Sequence, residues 1–140
     1  MTFNNLNDLM KHIQNDIDDC VQNEVAETVK DEMVTAIQTS VYNVYDPIQY
    51  TRRYGDGGLG ARDNMQVTEI PNGISVRDIA PLDNGRTDTG YMLDDIVVNG
   101  LGRMPFERDM YSECAERLEI TGNHVYALKQ GLKNKGYEVK

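Results

Sequence analysis

Apolar residues recur along the first third of the chain at Leu6, Leu9, Met10, Ile13, Ile17, Cys20 and Val21, then at Val25, Ala26, Val29, Met33, Ala36, Ile37 and Val41. Steps of three and four residues lay one apolar stripe along an α-helix, with acidic residues on the opposite face. Asn5 offers a cap, and Asp8 sits three residues later, where negative charge suits a helix N-terminus. Within the stripe, Ile13, Ile17, Val21, Val25, Val29, Met33, Ile37 and Val41 form an unbroken four-residue repeat. On a helix of 3.6 residues per turn this repeat drifts by about 40° per step, so it cannot face one flat core. Either the chain breaks near Asn23, whose amide would cap a second helix at Glu24, or one long helix, kinked at most, wraps over two surfaces. The single long element is the preferred reading, and a neighbouring subunit could supply its second surface.

Asp46 and Pro47 end this helical region of residues 1–42, and Gly55, Gly57, Gly58 and Gly60 keep residues 43–64 as a long loop. A β-hairpin comes next, over residues 65–80. In it Met65 and Val67, then Ile74 and Val76, alternate with polar neighbours, and Pro71, Asn72 and Gly73 supply the turn. Residues 81–90 are turn chemistry, after which Thr87, Asp88 or Thr89 caps a short helix over residues 91–99 carrying Tyr91, Leu93, Ile96 and Val97. A strand at Ile96 to Val98 competes with that assignment. Two helices occupy residues 105–136. Pro105 opens the first, with Glu107 and Asp109 in its first turn and Gly122 at its end, and Asn123 caps the second before Gly136 stops it. Tyr137 to Val139 alternate as a terminal strand would. The whole reads as a single α+β domain over residues 1–140, a long N-terminal helix and C-terminal helices packed on a small antiparallel sheet.

Composition narrows the function. A net charge of -9 argues against a general nucleic-acid binder, because backbone affinity comes from Lys and Arg neutralising phosphates. The acids concentrate in residues 1–41 and 63–102, whereas residues 103–140 are nearly balanced. Cys20 and Cys114 lack a metal-ligand spacing and sit in apolar helical patterns, as small buried hydrophobes do. No signal-peptide pattern opens the chain and no apolar run approaches the roughly 18 residues that span a bilayer, which places the protein in the cytosol or in something assembled there.

Catalytic chemistry finds little footing. His12 and His124 lack a nucleophile and carboxylate arrangement around them and read as surface histidines. Asp83, Asp88, Asp94 and Asp95 could gather a hard cation, but from Asp83 the third and fifth positions are Gly85 and Thr87, which fails the calcium-loop pattern. The glycines after Tyr54 are followed by no Lys-Ser or Lys-Thr pair, so a loop tip is preferred to a phosphate cradle. Arg52, Arg53 and Arg62 beside Tyr50 and Tyr54 match a single-strand stacking platform in composition alone.

What stands out is the cluster itself: Tyr42, Tyr45, Tyr50, Arg52, Arg53 and Tyr54, with Leu59 beyond. Tyrosine and arginine combine contact area with directional hydrogen bonding and are favoured at interface hot spots. These seven residues are the candidate subunit or partner interface. No catalytic residue, cofactor or metal ligand is assigned.

The order VYNVYDPIQYTRRYGDGGL, hairpin, YMLDDIVVNGLG, MPFERDMYSECAERL and HVYALKQGLKNKGYEV resembles the tail-completion and head–tail joining proteins of tailed bacteriophages. The resemblance rests most on Tyr45 to Arg53 and on Pro105 with Phe106. Where those proteins often carry a Thr-Gly-Arg-Leu-like run before the first strand, this chain has Gly58, Leu59, Gly60, Ala61 and Arg62. The resemblance implies a non-enzymatic structural protein of the virion neck or tail, present in host cytoplasm during assembly. It further implies a homo-oligomeric ring, phage connector and tail proteins as partners, and DNA passing through the channel without specific binding. A nucleic-acid-associated adaptor using Tyr50, Arg52, Arg53 and Tyr54, a tail assembly factor not retained in the neck, and a metal-assisted hydrolase built on the aspartates are the alternatives.

Overall fold

The computed structural model describes residues 2–46, 52–55, 57–82, 93–100 and 106–140. Its spine is one long helix: α1, Leu6–Cys20, continues through a wide π turn at Val21–Val25 into α2, Ala26–Ile37, and ends in a second π turn at Gln38–Tyr42. Backbone angles stay right-handed helical across the joint, so the helix does not break at Asn23. Each wide turn closes an i→i+5 bond, from Ala26 N–H to Val21 O and from Asn43 N–H to Gln38 O, and so takes up an extra residue. That extra residue sets the four-residue stripe back against its forward drift.

Side-chain donors accompany the wide turns. Asn23 Nδ2 donates to Asp19 O at 2.8 Å and is thus engaged backward, not as a cap for a helix beginning at Glu24. Ser40 Oγ donates to Ala36 O at 2.6 Å and Thr39 Oγ to Thr35 O at 3.1 Å, and such back-bonding competes with the main-chain bonds. Asn5 is the predicted N-cap, its side chain accepting Asp8 N–H at 2.9 Å.

The second surface of the stripe comes from the same chain. Helix α5, Asn123–Asn134, lies along α1 and the first π turn, while α4, Met110–Thr121, packs on α2. Strands β1, Met65–Ile70, and β2, Gly73–Asp78, form an antiparallel hairpin that lies against the long helix through β2. A 3-10 turn at Arg62–Asn64 leads into β1, and α3, Leu93–Asn99, comes after the hairpin; residues 96–98 are thus helical rather than strand. The core joins all of these: Met33, Ala36, Ile37 and Val41 meet Leu59, Met65, Ala80, Val97, Met110 and Cys114. Truncating a fully buried side chain such as Ile37 or Met110 to alanine costs about 2–5 kcal/mol. Both cysteines are buried and free.

Local differences from the expected elements have physical causes. The hairpin turn is only Pro71 and Asn72, because Gly73 already pairs with Ile70; Asn72 takes φ 63°, which asparagine tolerates. Helix α4 starts at Met110, with Asp109 as its cap rather than in its first turn; Pro105 lies outside the described residues. Hydrogen bonds from Ser112 Oγ and N–H hold the Asp109 carboxyl below the usual carboxylate range. Gly122 ends α4 at φ 65°, as expected. Asn123 is not a cap. Its Nδ2 donates to Glu32 Oε1 at 2.8 Å, because Glu32 is buried and needs donors. Tyr137 to Val139 form no strand; Tyr137 OH instead donates to Asp16 Oδ2 at 2.6 Å, tying the chain end to α1. The cap candidates Thr87, Asp88 and Thr89, with Tyr91, lie outside the described residues.

Candidate interaction site

The tyrosine and arginine cluster gathers at the C-terminal end of the long helix. Tyr42 closes the last turn, and its OH accepts Gly60 N–H at 2.8 Å, pinning the glycine-rich loop to the helix. Burial pushes the Tyr42 phenol above its ordinary pKa, chiefly by desolvation. Tyr54 sets its ring edge-on to Tyr42, centroids 4.8 Å apart, at a positive φ of 50° that bulky residues rarely adopt. Gly58 fits here without a side chain, since a Cβ would lie 2.6 Å from Tyr54 O.

Two guanidiniums thread the rings. Arg52 lies 5.1 Å from the Tyr42 centroid and 5.9 Å from that of Tyr45; Arg108 lies 5.2 Å from Tyr45 and 5.8 Å from Phe106. Both also donate to the carbonyls that end the helix, Arg52 Nη1 to Tyr42 O at 2.9 Å and Arg108 Nη1 to Val41 O at 3.5 Å. Cations are favoured there because the last carbonyls carry the negative end of the helix dipole. Arg53 Nη2 donates to Pro81 O at 2.5 Å, and Leu59 is buried in the core. The structure thus brings Tyr42, Tyr45, Arg52, Arg53, Tyr54 and Leu59 to one end of the molecule; Tyr50 lies outside the described residues. Arg62 stands apart, paired with Glu27 and Asp31 on the long helix.

A second polar construction has no counterpart among the motifs of the sequence. Asp78 is fully buried at the end of β2, with Oδ1 accepting Ala80 N–H at 2.9 Å and Oδ2 without a partner among the described residues. Desolvation, with nearby Asp94 adding to it, pushes its carboxyl up to about 7. Tyr111 OH accepts Asp78 N–H at 3.1 Å and donates to Asp94 Oδ2 at 2.6 Å, while Arg77 Nε donates to the same carboxylate at 2.9 Å. The alternation of the hairpin carried a signal for this, since Asp78 continues the face of Ile74 and Val76. Asp94 and Asp95 are therefore occupied by Arg77, and Asp83 and Asp88 lie outside the described residues. Among the described residues no group of three or more His, Cys, Asp and Glu side chains could hold a metal ion.

His12 sits 3.2 Å from Asp16 on the same helix face and against the Phe3 ring. Surface grooves flank the long helix. One of about 350 Å³ lies between Ile17 and Val21 of the long helix and Ile70 of the hairpin tip. Another, about 450 Å³, is lined by Glu24, Asp31, Glu32 and Tyr126. No helix among the described residues is long and apolar enough to cross a membrane.

An α+β protein built on one long helix, with arginine and tyrosine interleaved at the helix end, is the class that this geometry defines. The profile of the YomN family matches residues 5–134, nearly the whole chain, and the protein belongs to that family, which is phage-associated. No curated protein matches the chain, and no solved structure does.

Proposed function

We propose that this chain is a non-enzymatic structural protein of the phage particle, a neck or tail-completion component whose copies form a ring joining head connector and tail. The observation that carries the reading is membership of a phage-associated family over residues 5–134. Support comes from the helix end, where Tyr54 is about half exposed and offers a residue type that anchors protein interfaces. In this reading DNA traverses the channel without specific binding, in keeping with the net charge of -9.

The nucleic-acid adaptor loses ground, because Arg52 is turned onto tyrosine rings and a helix carbonyl and Arg53 donates to Pro81 O. Deleting the gene from its phage tests the proposal. The expected outcome is filled heads and free tails that do not join, with the protein present in intact wild-type particles. Normal particles from the deletion would overturn it. A joining defect with no protein in wild-type particles would instead identify an assembly factor that is not retained.

A further inference from the structure

We infer that the trough between the long helix and the hairpin tip receives the outer face of α5 from a second copy of this chain, which rests on the ring reading above and names the contact between its subunits. Met10, Ile17 and Val21 recur in steps of seven and four residues and so share one side of the long helix. Helix α5 packs on another side, where Gly131 meets Cys20 and Glu24, and leaves the first side open. Leu6 is 71% exposed and Met10 60%. The groove of about 350 Å³ continues this strip, with Ile17 and Val21 on one wall and Ile70, 45% exposed, on the other. Its rim is acidic. Asp18 and Glu69 line it; Asp18 accepts Gln14 Nε2 at 2.8 Å, a neutral donor, and neither acid is in an ion pair among the described residues.

The complement is on α5 itself. Gly131 faces the long helix, so the opposite side of α5 looks outward, and it carries Val125, Tyr126, Lys129 and Lys133 at spacings of three and four residues. Tyr126 is 65% exposed and Val125 47%, and neither lysine is in an ion pair among the described residues. Tyrosine anchors interfaces when an apolar pocket takes its ring, and Ile17, Val21 and Ile70 form such walls. With Tyr126 seated there, Lys129 and Lys133 follow within the next two helical turns and meet the acidic rim at Asp18 and Glu69. Pairing trough with trough would oppose acid to acid, and pairing α5 with α5 would oppose lysine to lysine. The mixed pairing alone brings opposite charges together, which selects the partner and the register. A chain cannot satisfy its own trough, because its α5 is fixed to the long helix by the other side. The two surfaces differ, so the contact is head-to-tail, the kind that repeats from copy to copy and closes into a ring when the rotation permits.

The test is a charge swap read by sedimentation of the full chain. One variant carries Asp18→Lys with Glu69→Lys, the other Lys129→Glu with Lys133→Glu, and thermal unfolding checks that both are folded. The parent should self-associate, and each variant alone should do so about tenfold or more weakly, since like charges then face each other. Mixing the two variants in equal parts should restore association, because every trough then finds an α5 of opposite charge. A parent that stays monomeric up to about 1 mM, where even a weak contact is populated, would overturn the inference. So would a variant that associates as the parent does, or a mixture no stronger than its parts. Such a failure leaves the presence of the protein in particles, and with it the structural role, standing on its own.

Discussion

Gly131 of α5 passes so close to Cys20 of the long helix that a Cβ built on it would lie 2.9 Å from the Cys20 Sγ and 3.1 Å from the Glu24 carboxyl carbon. Glycine in the middle of a helix ordinarily weakens it by about 1 kcal/mol relative to alanine. Here the close crossing of two helices outweighs that, since overpacking a tight contact costs about 1–3 kcal/mol. Gly131→Ala should therefore lower stability in urea unfolding, where the same change on an open helix face would raise it. Adding Cys20→Ala should recover part of the loss, as coupled neighbours do. A Gly131→Ala chain more stable than the parent would show the crossing to be loose.

Tyr42 holds the glycine-rich loop through a single hydroxyl. Tyr42→Phe keeps the ring against Tyr54 and Arg52 but leaves Gly60 N–H without its acceptor. The expected loss is about 1–3 kcal/mol of unfolding free energy. Proteolysis within residues 52–60 should accelerate in parallel. Equal cleavage rates in the two proteins would mean that the hydroxyl does not fix the loop.

Asp78 makes a pH prediction. Its folded pKa of about 7 lies above the ordinary carboxylate value of 3.8, so the folded state binds the proton more tightly than the unfolded one. This contribution is fully present below the unfolded pKa and is lost as pH rises through about 7. Taken alone it amounts to a few kcal/mol, because each tenfold gain in proton affinity is worth about 1.4 kcal/mol. Asp78→Asn keeps an oxygen for Ala80 N–H and removes the charge that faces Asp94. The variant should be more stable than the parent at pH 8 and should flatten the stability profile between pH 4 and 7. An unaltered profile in Asp78→Asn would assign the pH dependence elsewhere.

What was legible in the sequence is what is local. The Asn5 cap, the alternation of Met65 to Val76 and the stop at Gly122 are each decided within one turn or one hairpin. The four-residue drift was also legible as a difficulty, although its solution was not: the π turns at Val21–Val25 and Gln38–Tyr42 depend on how the long helix packs against α4, α5 and the hairpin. The tyrosine and arginine cluster was visible as composition. Its geometry depends on Arg108 and Phe106, distant in sequence, which no local pattern connects to Tyr45. Glu32 likewise reads as part of an acidic helix face, yet it is buried because Arg117 and Asn123 converge on it from α4 and α5. Gly131 gives no sequence signal, since nothing along the chain announces which helix crosses it.

The proposed structural role is tested most directly by quantitative mass spectrometry of density-purified phage particles, compared with tail-less heads and free tails from the same lysate. The protein should be found in intact particles at several copies each, in fixed ratio to the connector protein, and should stay with them through high-salt washing. Its complete absence from particles, with the protein recovered only from the soluble lysate, would contradict a place in the neck.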